Sequence, residues 1–230
     1  MNLGIIGLGK IGQLHARIFH SLGVNVKSVI SSEITNANKS SEILHKTYNF
    51  KPQAYDSIDS FLNSNIQAVS ICSPFLLHYD HIVSCLNKNY FVFVEKPFFW
   101  ELSNKRNLFN KLEHIKMHKN RKLMVNYNNS KIISGIKSLP KKNDINYFEF
   151  DFSTNGNHNY DYILIDLLPH ALSVLTEVLS LNIVSNLNKE VKKNSSILKF
   201  NYGKTKVKFL FSQSQDIKKK NEYKGKQKYI

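Results

Sequence analysis

The sequence predicts an α/β protein in two parts: a doubly wound parallel sheet over residues 1–120, then a smaller α+β domain over residues 121–230. Three observations predict it. Apolar runs alternate with amphipathic stretches through the first half, as expected of strands buried on both faces and joined by helices. A glycine-rich loop separates the first such run from the first helical pattern. After about Ser138 the pattern changes to strands of alternating character around one long helical stretch.

Each element follows from its spacing. LGIIG (Leu3–Gly7) is a short apolar strand, and Ile11–Leu22 has helical spacing. Val24–Ile30 alternates as a strand, and a polar helical stretch follows to about Lys46. A helix around Ile58–Leu62 leads to the strand AVSIC (Ala68–Cys72). The helix Leu76–Leu86 precedes the strand YFVFV (Tyr90–Val94), and a charged helix from about Leu102 to His118 precedes the strand KLMVNY. In the second part, NYFEFDF (Asn146–Phe152) reads as a half-exposed strand. The helical stretch Tyr162–Leu181 follows, then two strand-like runs, SILKFNY and VKFLFSQS. The domain boundary is placed near Lys119–Arg121.

Composition narrows the function. No apolar run approaches the ~20 residues of a membrane helix, so no membrane partner is expected. The N-terminus lacks a basic leader region and enters a strand pattern at once, unlike a signal peptide. Cys72 and Cys85 have no metal-like spacing and read as reduced thiols of a cytoplasmic protein, with no metal site. The net charge of +15 suggests an anionic ligand or nucleic acid. Lysines are nevertheless spread through both halves alongside abundant asparagine and isoleucine, which argues against a dedicated nucleic-acid role. The densest basic run, Lys218–Lys228, reads as a solvated tail.

GLGKIG lies between a strand and a helix, the context the G-x-G-x-x-G dinucleotide fingerprint requires. Gly7 allows the tight turn, Gly9 lets backbone approach a pyrophosphate, and Gly12 lets helix and strand pack closely. Lys10 and Ile11 complete the loop, and the helix N-terminus faces the phosphate charge. The acid that binds the ribose 2′-hydroxyl of NAD is expected about 20 residues on. Here the second strand ends in Ser31-Ser32, nineteen residues past Gly12, with Glu33 beyond. Serines do not repel a 2′-phosphate, so the cofactor, NAD or NADP, leans toward NADP, although no arginine follows and Glu33 opposes it.

In such a sheet, ligands bind beyond the carboxyl ends of the strands. Ser73-Pro74 and Glu95-Lys96-Pro97 each end a buried strand there. Pro97 restrains Lys96 to extended conformations and makes a cis bond affordable. A lysine beside a carboxylate and a nicotinamide can exchange a proton with a substrate hydroxyl. VEKP alone fits a solvated strand end better.

Three runs together, GLGKIGQLHA, AVSICSPFLLHYDHIVSCL and VFVEKP, resemble the Gfo/Idh/MocA family of NAD(P)-dependent oxidoreductases, which includes glucose–fructose oxidoreductase and inositol dehydrogenase. The resemblance covers roughly the first 130 residues. It implies a Rossmann domain followed by a domain with an open sheet. It also implies hydride transfer at a secondary alcohol or ketone of a sugar or nucleotide sugar. The family's second signature, an Asp and a His four residues apart on a helix, is matched by DLLPH, Asp166 to His170. Positions i and i+4 share a helix face. If Asp166 caps that helix, Pro169 falls in the first turn; if the helix starts at Asp161, it should kink near the proline.

By this resemblance Lys96 hydrogen-bonds the reacting oxygen, His170 is the general acid/base, and Asp166 positions substrate. Ser73, Pro74 and His78 contact or frame the nicotinamide side, and Glu95 belongs to the cofactor site. The sequence departs from the family pattern at Phe75, where a polar residue is usual, and at NHNYDYILI, which replaces a glycine-rich run. The chain is also shorter than typical members, mostly in the C-terminal sheet. That sheet commonly forms the substrate floor and a homo-oligomer interface. These departures keep a second reading open, a dinucleotide-binding regulator or scaffold that no longer catalyses.

Overall fold

The fold is described from a computed structural model, over residues 1–101, 104–118, 122–135, 144–155, 161–214 and 225–229. The chain divides into two compact units, Met1–Asn126 and Tyr127–Ile230.

The first unit holds six parallel strands: β1 (Asn2–Ile6), β2 (Asn25–Ile30), β3 (Gln53–Tyr55), β4 (Ala68–Ile71), β5 (Phe91–Val94) and β6 (Leu123–Val125). Their spatial order is β3-β2-β1-β4-β5-β6, and every neighbouring pair is parallel. The helices are α1 (Lys10–Ser21), α2 (Ile34–Tyr48), α3 (Ile58–Leu62), α4 (His78–Asn87) and α5 (Lys105–Met117). Two apolar layers explain the doubly wound form. Leu3, Ile5 and Val29 pack with Ala16 of α1 and Leu44 of α2. Ile6, Val69, Ile71 and Val94 pack with Phe61 of α3, Ile82 and Cys85 of α4, and Ile115 of α5. All four residues of β4 are buried, three of them apolar and the fourth, Ser70, bonded to His15.

The parallel order sends every strand's carboxyl end to one edge. Between β1 and β4 the strand order reverses, and a crevice opens there by construction. The expected boundary, Lys119–Arg121, lies outside the described residues. The strand expected beyond it, Leu123–Val125, is the sixth strand of the first sheet, paired with β5 through Val92↔Leu123 and Val94↔Val125.

The second unit has the order β11-β7-β10-β9-β8. Its elements are α6 (Asn128–Ser134), β7 (Tyr147–Asn155), α7 (Asp161–Leu179), β8 (Val184–Lys192), β9 (Ser195–Tyr202), β10 (Thr205–Ser214) and β11 (Gly225–Tyr229). β7 and β10 run parallel, and the other pairs are antiparallel. Period-2 alternation sends Phe148, Phe150 and Phe152 of β7 and Val207, Phe209 and Phe211 of β10 to one face. Ile163, Leu167, Ala171 and Leu175 of α7, spaced by four, join that layer. Each fully buried side chain of this size contributes about 1.5–3 kcal/mol.

Of the two alternatives left open for α7 the Asp161 start is the one observed, and two expectations are corrected here. The helix begins at Asp161, so Pro169 is interior and Asp166 is not its cap. The 18 residues Tyr162–Leu179, at mean hydropathy 1.5, are long and apolar enough to cross a membrane, contrary to the expectation that no run is. Half of that stretch is buried within the unit, as in a core helix. Of the basic run Lys218–Lys228, the part up to residue 224 lies outside the described residues, while Gly225–Tyr229 is an edge strand on β7 rather than a solvated tail.

Candidate active site

The glycine loop fits a dinucleotide pyrophosphate. The chain leaves β1 at Gly7 with φ +90°, and the Gly7 N–H donates to the Ile30 carbonyl at 2.8 Å. A Cβ at Gly7 would lie 2.6 Å from the Ser73 nitrogen, so β1 and the end of β4 meet only because no side chain intervenes. A Cβ at Gly12 would lie 1.9 Å from the Gly7 carbonyl oxygen, so α1 seats on the loop on the same condition. At Gly9 the opposite holds: among the described residues a Cβ would meet nothing within 4 Å. Gly9 is the N-cap of α1, makes no side-chain cap, and has no acidic residue in the turn that follows. The first-turn N–H groups therefore have no side-chain cap, and Lys10 and Ile11 are exposed beside them.

Polar side chains, Ser40 among them, brace this loop. Gln13 donates to the Leu8 carbonyl at 3.1 Å, and Ser31 Oγ accepts from the Leu8 N–H at 3.3 Å. Ser31 thus acts first on the loop. Ser32 is exposed, and the exposed Glu33 precedes α2 with its carboxylate accepting from Asn36 Nδ2 at 3.3 Å.

At the ends of β4 and β5, His78 ties two turns together. It is 1% exposed. Its Nε2 lies 2.8 Å from the Ser73 carbonyl and its Nδ1 lies 2.9 Å from the Pro97 carbonyl. Ser73 Oγ bonds His81 Nδ1 at 2.9 Å, and Pro74 leads into a single 3₁₀ turn, Phe75–Leu77. Burial pushes the His81 imidazole below its ordinary range, and the nearby His78 adds to this.

Glu95 is anchored on three sides. Oε1 accepts from His15 Nε2 at 2.9 Å and from Asn126 Nδ2 at 2.5 Å, and Oε2 accepts from the Lys96 N–H at 3.3 Å. His15 in turn lies 2.8 Å from Ser70 Oγ and 3.3 Å from Cys72 Sγ through Nδ1, with its ring stacked on Phe93. Burial alone would push the Glu95 carboxyl up. The bonds from His15 and Asn126, with the His15 charge, outweigh it and hold the carboxyl below the usual range. Burial pushes the Cys72 thiol up to about 12, so it is inert at neutral pH. Lys96, half-buried, follows directly, and its bond to Pro97 is cis.

The Glu95 shift has a stability consequence. A carboxyl lowered on folding contributes stability above its unfolded value of about 4.3, and that contribution is lost as pH falls through the folded value. Glu95→Gln is therefore expected to be less stable than wild type at pH 7, with the gap narrowing below about pH 4.3. Urea melts of both proteins across pH 3–8 check this; a gap independent of pH would contradict it.

In the second unit, Asp166 and His170 are half-buried one turn apart on α7, beside the buried Leu167 and Ala171. Gln213 of β10, 5% exposed, donates from Nε2 to Asp166 Oδ2 at 3.4 Å, and the His170 ring lies 5.3 Å from that of Phe152. Both residues lie on one face of α7, as their spacing by four requires.

Sequence reasoning missed His15 as a partner of Glu95, and missed Asn126 and Gln213 altogether. The only signal for Gln213 is a polar residue continuing the inward row Val207, Phe209, Phe211. Among the described residues no cluster of three or more His, Cys, Asp or Glu side chains is placed to hold a metal.

Comparisons with known proteins bear on this geometry. A family model described as an oxidoreductase family with an NAD-binding Rossmann fold matches residues 1–127. Over 98 residues the chain is 28% identical to the 4-carboxy-2-hydroxymuconate-6-semialdehyde dehydrogenase of Sphingobium sp. (strain NBRC 103272 / SYK-6), a match covering 42% of this chain and 30% of that protein. The myo-inositol dehydrogenase of Lactobacillus casei, solved with NAD(H) and myo-inositol, superposes with a TM-score of 0.75 at 16% identity, over 100% of this chain and 71% of that one. The UDP-N-acetylglucosamine 3-dehydrogenase of Acidithiobacillus ferrooxidans gives 0.70 at 16% identity, over 100% and 74%.

Proposed function

The chain belongs to the Gfo/Idh/MocA oxidoreductase family, whose N-terminal unit is an NAD-binding Rossmann fold, and on that premise we propose that it transfers a hydride between NAD(P) and a secondary alcohol or ketone of a sugar or nucleotide sugar. The observation that carries this reading is the uncapped start of α1, with open space at Gly9, on the sheet edge where β5 delivers Lys96. A bound nicotinamide supplies the hydride chemistry.

The chain's own residues divide the remaining work. The α1 N-terminus and the Gly7–Gly12 loop hold the pyrophosphate. Ser73, Pro74 and the buried His78 shape the turn that borders the nicotinamide. Lys96 donates a hydrogen bond from Nζ to the reacting oxygen and holds its proton. His170 is the proposed acid/base, and Asp166, oriented by Gln213, binds substrate hydroxyls. The exposed Ser32 leaves room for a 2′-phosphate, which supports NADP, with NAD as the competing choice. Substrates acted on by the structural neighbours, an inositol and a UDP-sugar, support a polyhydroxylated substrate. A net charge of +15 favours an anionic one. Assembly through the second sheet and a cytoplasmic setting, consistent with the free Cys72 and Cys85, belong to the same proposal.

The test is absorbance at 340 nm with NAD and NADP against a panel of inositols, hexoses and UDP-hexoses. Reduction of one cofactor by a panel member is expected. Cofactor binding without turnover across the panel in either direction would contradict catalysis and favour the regulatory reading.

A further inference from the structure

We infer that His15 is a positioning residue for Lys96, acting through Glu95. This rests on the proposed place of Lys96 beside the nicotinamide. His15 lies one turn beyond Gly12 on α1, the helix whose first turn is left open for the pyrophosphate. Its ring is fixed on both sides. Nδ1 meets Ser70 and Cys72 at the end of β4, and Nε2 reaches Glu95 at 2.9 Å. Stacking on Phe93 of β5 sets the ring plane, with centroids 5.5 Å apart. The His15 and Glu95 side chains are 8% and 15% exposed, so water screens the pair little.

Glu95 passes this constraint directly to the next residue, because its second carboxylate oxygen accepts the Lys96 N–H. Asn126, just past β6, donates to the same carboxylate oxygen as His15. The backbone that aims Lys96 is therefore held by α1, β4 and β6 at once, and α1 is the element that engages the cofactor. Removing the His15 imidazole leaves Glu95 with fewer donors and frees the Lys96 turn from α1. Neither His15 nor Glu95 needs to touch a ligand for this.

The experiment is lysine acetylation by acetic anhydride, followed at Lys96 by peptide mass spectrometry, without NADH and at NADH saturation fixed by each protein's own titration. In wild type, NADH should slow acetylation of Lys96. His15→Leu should lose that protection, and His15→Gln, which keeps a side-chain donor near the place of Nε2, should retain it. Protection in His15→Leu equal to wild type would overturn the role of His15 while leaving Lys96 beside the nicotinamide. No protection in wild type, although NADH binds, would overturn the placement of Lys96 and the inference with it. Should His15→Leu fail to fold, the near-isosteric Glu95→Gln carries the same comparison: protection weakened supports the linkage, and full protection overturns it.

Discussion

A Gly12→Ala variant is expected to lose both stability and NADH binding, whereas Gly9→Ala is expected to keep its stability and lose binding alone. The two glycines stand in one loop under opposite constraints. At Gly12 the added methyl would sit 1.9 Å from the Gly7 carbonyl oxygen, a backbone atom that cannot swing aside. The helix must lift off the strand, at an overpacking cost of about 1–3 kcal/mol. Lifting α1 also moves the N–H groups that face the phosphate. At Gly9 the methyl meets no protein atom within 4 Å, and φ of −65° is an ordinary backbone angle for alanine. Among the described residues nothing beyond its chain neighbours stands in its way, so a ligand is what it is expected to crowd. Thermal melts with NADH titrations separate the two, and an affinity loss of at least about tenfold is expected in each. Unchanged affinity in Gly9→Ala would place the pyrophosphate elsewhere.

The second large effect is at Lys96. Lys96→Ala is expected to lower turnover by about 10²–10⁴-fold, the range for losing a positioned acid/base group. Lys96→Arg separates two roles. Arginine keeps the positive charge but does not give up a proton at working pH, so it should not restore activity if Lys96 shuttles the proton. Restoration by arginine would instead assign Lys96 a purely electrostatic role. Steady-state kinetics on a substrate found with the panel decides between them.

The first sheet was legible because burial on both faces leaves a plain mark: runs such as AVSIC are apolar apart from one hydroxyl, Ser70, which His15 satisfies. The assignment of KLMVNY was not legible, because a three-residue strand carries no sign of which sheet it joins. β8, VSNLNKEVK, escaped notice for another reason. Eight of its nine residues are exposed, so no alternating apolar row forms. Its place is set by pairing with β9. At α7 the sequence posed the right alternatives, and buried contacts on both sides of Pro169 favoured the longer helix.

The candidate site shows the same division. Gly7, Gly9, Gly12 and Lys96 are fixed by local geometry and could be read from a few neighbouring letters. Glu95 could be read as important but not for what it does, because its partners His15 and Asn126 lie 80 residues before it and 31 after it. Gln213 reaches Asp166 across 47 residues, through two strands whose register no local pattern fixes. Contacts of that kind arise only once the sheets have formed.

The most direct measurement is a fluorescence titration of the folded wild-type protein with NADH and, separately, NADPH, with Gly9→Ala alongside. Saturable binding of at least one cofactor, weakened in Gly9→Ala at unchanged stability, is the expected result. Absence of binding by both, in protein shown to be folded, would contradict the dinucleotide site and leave GLGKIG a turn and VFVEKP a solvated strand end.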